Sequence, residues 1–347
     1  MTLTELGWRH FFAQQVSLDE LEGLRPARVM NMERSVVGLH HDGGSSTAEL
    51  ELRWQQLPHE ERPTVGDWVL IDGAGLPQRL LDRQSVFKRK AAGERAEVQL
   101  IGANVDTLFV VSSCNMDFNV SRLERYLALA LDAKVTPVIV LTKADLADAE
   151  KYLQEAQAMR SDLDVLAVNS LDPESIADLH QWCGSGQTVA LVGSSGVGKS
   201  TLLNTLVGKA VAITGAIRED DSKGRHTTTS RSLHVLPNGG LVLDSPGMRE
   251  LKLTDVAAGL GVVFDDIEVL AERCRFKDCD HHTEPGCAVT AAIEDGTLLA
   301  RRLENYRKLL REDAHNTQSI AERHRRYRKF GKNAKARNTY TDKRNQN

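Results

Sequence analysis

Continuous apolar runs alternate with stretches of helical period through the middle of the 347-residue chain. DTLFVVSS (106–113), TPVIVLT (136–142), DVLAVN (164–169) and TVALVG (188–193) read as strands buried on both faces. GLVLDSPGM (240–248) supplies one more. Between the first four lie helical stretches at 120–133, 146–160 and 173–183. Such alternation predicts an α/β fold with a doubly wound parallel sheet and ligands at the carboxyl ends of its strands. Residues 25–95 have a shorter rhythm. ARVMNMERSVVGLHHDGG, STAELELRW and VGDWVLIDGAGLPQRLLDR are broken by Gly, Pro and Asp. That pattern suits a small barrel, of OB type or another five-stranded kind. Residues 1–24 read as a helical extension, and from about 262 the chain reads as helical around a Cys/His cluster. The expected units are 1–24, 25–95, 96–258 and 259–347.

Composition alters this little, since 41% hydrophobic and 27% charged residues are ordinary for a soluble domain. Charge placement alters it more. The net charge is −4, yet Arg301–Asn347 holds 15 Lys/Arg against 5 Asp/Glu, leaving −14 on the residues before it. A basic end on an acidic body suits a polyanionic partner, and Tyr327 inside the 323–329 cluster could stack on an unpaired base. The plainer alternative is a solvated helix end. Residues 1–24 carry Arg9, His10, Glu20 and Glu22 without a long apolar core, so no export signal is expected. No membrane span is expected either, and the cytoplasm is the expected compartment.

VALVGSSGVGKSTLLNTL (189–206) combines an apolar strand, a glycine-rich turn and a helix start. Gly193, Gly198, Lys199 and Ser200 fit the G-x-x-x-x-G-K-[ST] pattern, whose backbone amides face a phosphate at a helix N-terminus. Ser194, Ser195, Gly196, Val197 and Thr201 complete the loop. Lys199 reaches the β/γ-phosphates, and Ser200 is the candidate Mg²⁺ ligand. Asp244 ends a later strand, where a carboxylate can hold the Mg²⁺ shell, and Gly247 offers an amide to the γ-phosphate. In GRHTTTS (224–230), Thr227, Thr228 and Thr229 all qualify as the switch hydroxyl that senses Mg²⁺, with Thr228 favoured.

The base-reading residues come early. TKAD (142–145) follows an apolar strand, and the Asp145 carboxylate can accept from both N1–H and the N2 amine of guanine. The Lys143 stem lies along the base, Thr142 stands where Asn is commoner, and Asn169–Ser170 ends the next strand as the supporting loop. Base loops therefore precede the P-loop, which reverses the usual order. A circular permutation has this signature, because it moves the chain ends and keeps the sheet.

CRFKDCDHHTEPGC contains Cys274, Cys279, His281 and Cys287 at spacing C-x4-C-x-H-x5-C. Three thiolates and one imidazole make a closed tetrahedral set suited to structural Zn²⁺, with His282 as the alternative imidazole. Cys114 and Cys183 read as core thiols.

Together TKAD, GSSGVGKS, GRHTTT, DSPGMRE and CRFKDCDH…EPGC resemble the small ribosomal subunit biogenesis GTPase family, RsgA or YjeQ, over about residues 25–320. The resemblance implies an OB-fold barrel, a circularly permuted GTPase domain and a mainly helical zinc-binding domain. It implies binding to the 30S subunit and its 16S rRNA late in assembly, with Mg²⁺-dependent hydrolysis of GTP to GDP and phosphate. One structural Zn²⁺ and a monomeric chain are expected. Thr142 and the longer N-terminal segment depart from the family pattern. Met248 follows DSPG where many GTPases carry Gln, so intrinsic turnover is expected to be low. His226 is then the candidate for positioning water, beside Lys199 and Thr228. Two rivals stand: an RNA-binding module whose nucleotide site is structural or only a binding switch, and an ATP-dependent enzyme.

Overall fold

The structure is a computed structural model that describes residues 1–90, 98–212, 231–245, 248 and 256–317. Two short helices open the chain, α1 (His10–Ala13) and α2 (Leu18–Gly23). Ser17 starts α2 with a capping box: its hydroxyl accepts from Glu20 N at 3.3 Å, and the Glu20 carboxylate accepts from Ser17 N at 2.9 Å.

The barrel region follows as β1 (Arg25–Glu33), β2 (Val36–His41), β3 (Gly44–Glu49), α3 (Leu52–Gln56), β4 (Trp68–Ile71) and β5 (Pro77–Leu80). β1, β2 and β3 form an antiparallel meander, β4 takes the other side of β1, and β5 pairs with β4. The order β3-β2-β1-β4-β5 is that of an OB-type barrel opened between β3 and β5. β4 is buried on both faces. Val69 and Ile71 join Ala27, Val29, Val37, Leu39 and Trp54 in the barrel's own core, whereas Trp68 and Leu70 join the larger core behind it. A hairpin of β6 (Val86–Lys90) and β7 (Val98–Ala103) then spans the expected boundary near residue 95.

The remaining elements are β8 (Thr107–Ser113), α4 (Val120–Asp132), β9 (Thr136–Thr142), α5 (Ala149–Gln157), β10 (Asp164–Ala167), β11 (Thr188–Val192), α6 (Lys199–Val207), β12 (Arg231–Val235) and β13 (Leu241–Asp244). They form a sheet ordered β10-β9-β8-β11-β13-β12, parallel throughout except for β12. The P-loop strand β11 sits in the middle although it is fourth in the chain. That is the permuted arrangement. α5 starts at Ala149 rather than 146 because the Asp148 carboxylate accepts from Glu150 N and fixes the start there. The helix expected over 173–183 is instead a 3₁₀ turn, Ala177–Trp182. Residues three apart eclipse in that geometry, and Ile176, Leu179 and Trp182 all pack into one core on the sheet.

The C-terminal unit comprises α7 (Ala257–Val263), α8 (Asp265–Ala271), α9 (Ala288–Glu294) and α10 (Ala300–Thr317). α7 lies almost on α4: a Cβ at Gly259 would come within 2.1 Å of the Ala128 carbonyl. Glu124 of α4 is wholly buried and accepts from Arg302 at 3.0 Å and Asn305 at 2.5 Å, while Arg302 also pairs with Asp266 at 2.6 Å. A buried carboxylate requires such partners. Part of the basic end is therefore internal, since Arg301 also reaches Glu124 and Arg125 pairs with Glu312. No helix among the described residues is long and apolar enough to cross a membrane.

Arg28 joins three regions. Fully buried beside Trp68, it donates to the carbonyls of Leu6, Gly66 and Asn104 and to Thr188 Oγ1. Burial lowers its pKa to about 10, which leaves it charged at neutral pH.

Candidate functional site

Buried β11 ends at Val192, and the next residues turn sharply into α6. Gly193 takes φ +150°, and a Cβ there would lie 2.2 Å from the Val111 carbonyl, so the turn requires glycine. Val197 anchors the loop by burying its side chain, while Ser195 and Gly196 are exposed. The Lys199 ammonium folds onto the Ser194 carbonyl. Lys199, Ser200, Asp244 and Ser245 line one cleft of about 30 Å³, enough for an ion with a water. Thr201 sits half-buried in the first turn of α6.

Thr142 closes β9 and is completely buried. Its Oγ1 lies 2.6 Å from the Val197 carbonyl and 3.1 Å from the Ser112 carbonyl, so one hydroxyl ties base loop to phosphate loop. Lys143 adopts a left-handed conformation and donates to the Gly196 carbonyl at 2.9 Å. Asp145 is exposed on the turn Ala144–Leu146. The Ala144 amide donates to Val168 O at 3.2 Å, joining this turn to the next loop. There Asn169 accepts from Leu171 N at 3.0 Å, and the Ser170 carbonyl accepts from Thr205 Oγ1 at 2.6 Å. The buried Ser170 hydroxyl itself has no partner among the described residues. Three loops thus converge at the carboxyl ends of β9, β10 and β11, with the exposed Asp145 carboxylate at the rim. Thr142→Val keeps the shape and removes the tie. Nucleotide affinity is expected to fall about fivefold, matching a hydrogen bond worth about 1 kcal/mol. A titration with fluorescent GDP checks this, and unchanged affinity would make the tie dispensable.

The second cluster lies between α8 and α9. The ligating atoms of Cys274, Cys279, His281 and Cys287 all fall within 4.8 Å of one another. Cys274 and Cys287 sulfurs are 3.8 Å apart, and His281 Nδ1 lies 3.5 and 3.4 Å from them. A tetrahedron with metal–sulfur bonds of about 2.3 Å has edges of about 3.8 Å, and shorter edges to nitrogen. The donor set fits zinc. Cys287 caps α9, where its sulfur accepts from Thr290 N. Burial opposes the thiolate there, but bonds from Thr290 and His281 outweigh it and bring the thiol down to about 6. His282 turns instead toward Arg307, so His281 is the imidazole that faces the three thiols. Cys114 and Cys183 are buried, as expected of core thiols.

Comparison with known proteins agrees with this fold. Residues 80–254 match the profile of the RsgA GTPase family. A Vibrio vulnificus protein named small ribosomal subunit biogenesis GTPase RsgA 2 is 53% identical over 334 residues, covering 95% of this chain and 93% of its own. The chain belongs to the RsgA GTPase family. A Mesorhizobium japonicum RsgA is 50% identical over 321 residues, 91% of each chain. YjeQ from Thermotoga maritima superposes with a TM-score of 0.61 at 26% identity, covering 83% of this chain and 98% of that one. YloQ, described as a circularly permuted GTPase, gives 0.60 at 24% identity over 85% and 96%, and bears on the fold alone.

Several residues expected of an RsgA nucleotide site lie outside the described residues: His226, Thr227, Thr228, Thr229 and Gly247. So does the tail from residue 318, with Tyr327. Met248 is 1% exposed and packs in the core, so it is not placed to orient water. One residue beside the phosphate loop was not foreseen. Arg122, in the first turn of α4, donates to Ser194 Oγ. Its only sequence signal is its position as the first basic residue after β8, the strand beside β11.

Proposed function

We propose that this RsgA-family chain hydrolyses GTP to GDP and phosphate while it assists late assembly of the small ribosomal subunit. The observation that carries the reading is that Asp145, the Lys143–Gly196 contact, Lys199, Ser200 and Asp244 gather at the carboxyl ends of β9, β11 and β13, on one edge of the sheet. A carboxylate at the rim selects guanine, and a lysine with a ring of amides holds the phosphates. Ser200 and Thr228 would ligate Mg²⁺, with Asp244 holding its water shell and Gly247 donating to the γ-phosphate. Bound there, Mg²⁺ offsets the charge that develops on the transferring phosphoryl group. His226 would position water. Cys274, Cys279, His281 and Cys287 would hold one structural Zn²⁺.

The names of the relatives support the small (30S) ribosomal subunit as the partner; its 16S rRNA as the contact, a monomeric chain and a cytoplasmic location complete the proposal. The proposed units are an N-terminal extension, an OB-fold barrel, the permuted GTPase domain and a C-terminal zinc-binding domain with a basic tail. Multiple-turnover phosphate release against purified 30S, 50S and 70S particles tests the function. The expected result is slow release alone and stimulation by 30S. ATP competing equally with GTP, or turnover indifferent to 30S, would overturn it.

A further inference from the structure

Helix α4 leaves the end of β8, which pairs with β11, so its first turn stands beside the phosphate loop. Arg122 Nη1 donates to Ser194 Oγ at 2.5 Å and reaches the Asp117 carbonyl at 3.5 Å. The carbonyl of the same Ser194 receives the Lys199 ammonium. Two residues further along, α4 is locked. Buried Glu124 holds Arg302 and Asn305 of α10, Arg125 pairs with Glu312 at 2.6 Å, and Gly259 of α7 presses on Ala128.

We infer that Arg122 is a positioning residue of the nucleotide site, acting through Ser194, with α4 and the C-terminal helices as its fixed mount. This rests on the GTPase reading above. A loop containing Gly193, Gly196 and Gly198 has many conformations, and nucleotide binding must select one. Fixing Ser194 beforehand lowers that ordering cost and holds the carbonyl to which Lys199 returns. A guanidinium presents several donors on a rigid plane, so one side chain holds both Asp117 and Ser194. The contact orders the loop and touches none of the reacting atoms. Its loss therefore acts on ground-state binding, raising KM and leaving kcat nearly unchanged.

The test uses the full chain and its Arg122→Ala, Arg122→Lys, Ser194→Ala and Arg122→Ala/Ser194→Ala variants. Release of fluorescent GDP is followed by stopped flow, with KM, kcat and melting temperature measured alongside. Each alanine variant is expected to release GDP about tenfold faster, as for one charge-assisted hydrogen bond. The double variant should be no worse than either single one, and Arg122→Lys should recover part of the loss. Unchanged release in either single variant overturns the inference, as does a double variant whose effects multiply. Ser194→Ala trims only a half-buried hydroxyl, so it decides the matter even if Arg122→Ala is destabilised. Wild-type protein that binds no guanine nucleotide would overturn the GTPase reading itself.

Discussion

Purified without added metal, the chain is expected to carry one Zn²⁺, and Cys287→Ser is expected to lose it together with the order of residues 274–294. Cys287 does two jobs. Its sulfur sits 3.8 Å from Cys274 and 3.4 Å from His281, and it also caps α9 through Thr290. A structural Cys/His site contributes on the order of 10 kcal/mol of metal binding in small domains. Segment 275–286 has no strand or helix that would hold it without such a site. Elemental analysis should fall from one zinc per chain to none, and amide exchange should rise across α9. His282→Ala is the control, because its ring faces Arg307, and it should keep the metal. Metal-free wild-type protein with a protected α9 would contradict the assignment.

Asp145→Asn is expected to move preference from GTP toward xanthosine triphosphate. In the proposed site the carboxylate would accept from two guanine donors, and losing such a charge-assisted pair costs roughly 2–4 kcal/mol. Xanthine carries a carbonyl where guanine has its amine, so an asparagine amide can donate to it. Asp145 is exposed on its turn, which separates binding from folding: the melting temperature should stay where it is. Competition between the two triphosphates reads the change. Undiminished guanine preference would reject the base-loop assignment.

The parallel strands were legible because burial on both faces makes them continuous apolar runs, as in TPVIVLT and TVALVG. The order of the motifs disclosed the permutation, and the strand order agrees with it. The turn at 177–182 was not legible as 3₁₀, since Ile176, Leu179 and Cys183 also fit an α-helical face. Contacts between distant segments left no local trace. Neither the pairing of β1 with β12 at Asn31–Ser232 nor the contact of Arg122 with Ser194 has a periodicity to betray it. Arg302 misled the charge count, because a buried arginine and a solvated one look alike in sequence. Thr142 was a departure from pattern until its hydroxyl was seen to reach Val197.

The four-way seat of Arg28 has a consequence for how the molecule comes apart. Its acceptors belong to the N-terminal segment, the barrel region, the link into β8 and the start of the central strand β11. If any one of these detached alone, a buried cation would lose acceptors that water could not immediately replace, at a cost of about 3–5 kcal/mol. Partial unfolding along those seams is thereby penalised. The barrel and the sheet are bound into a single cooperative unit, and heat should take them apart in one transition, not as two domains melting in turn.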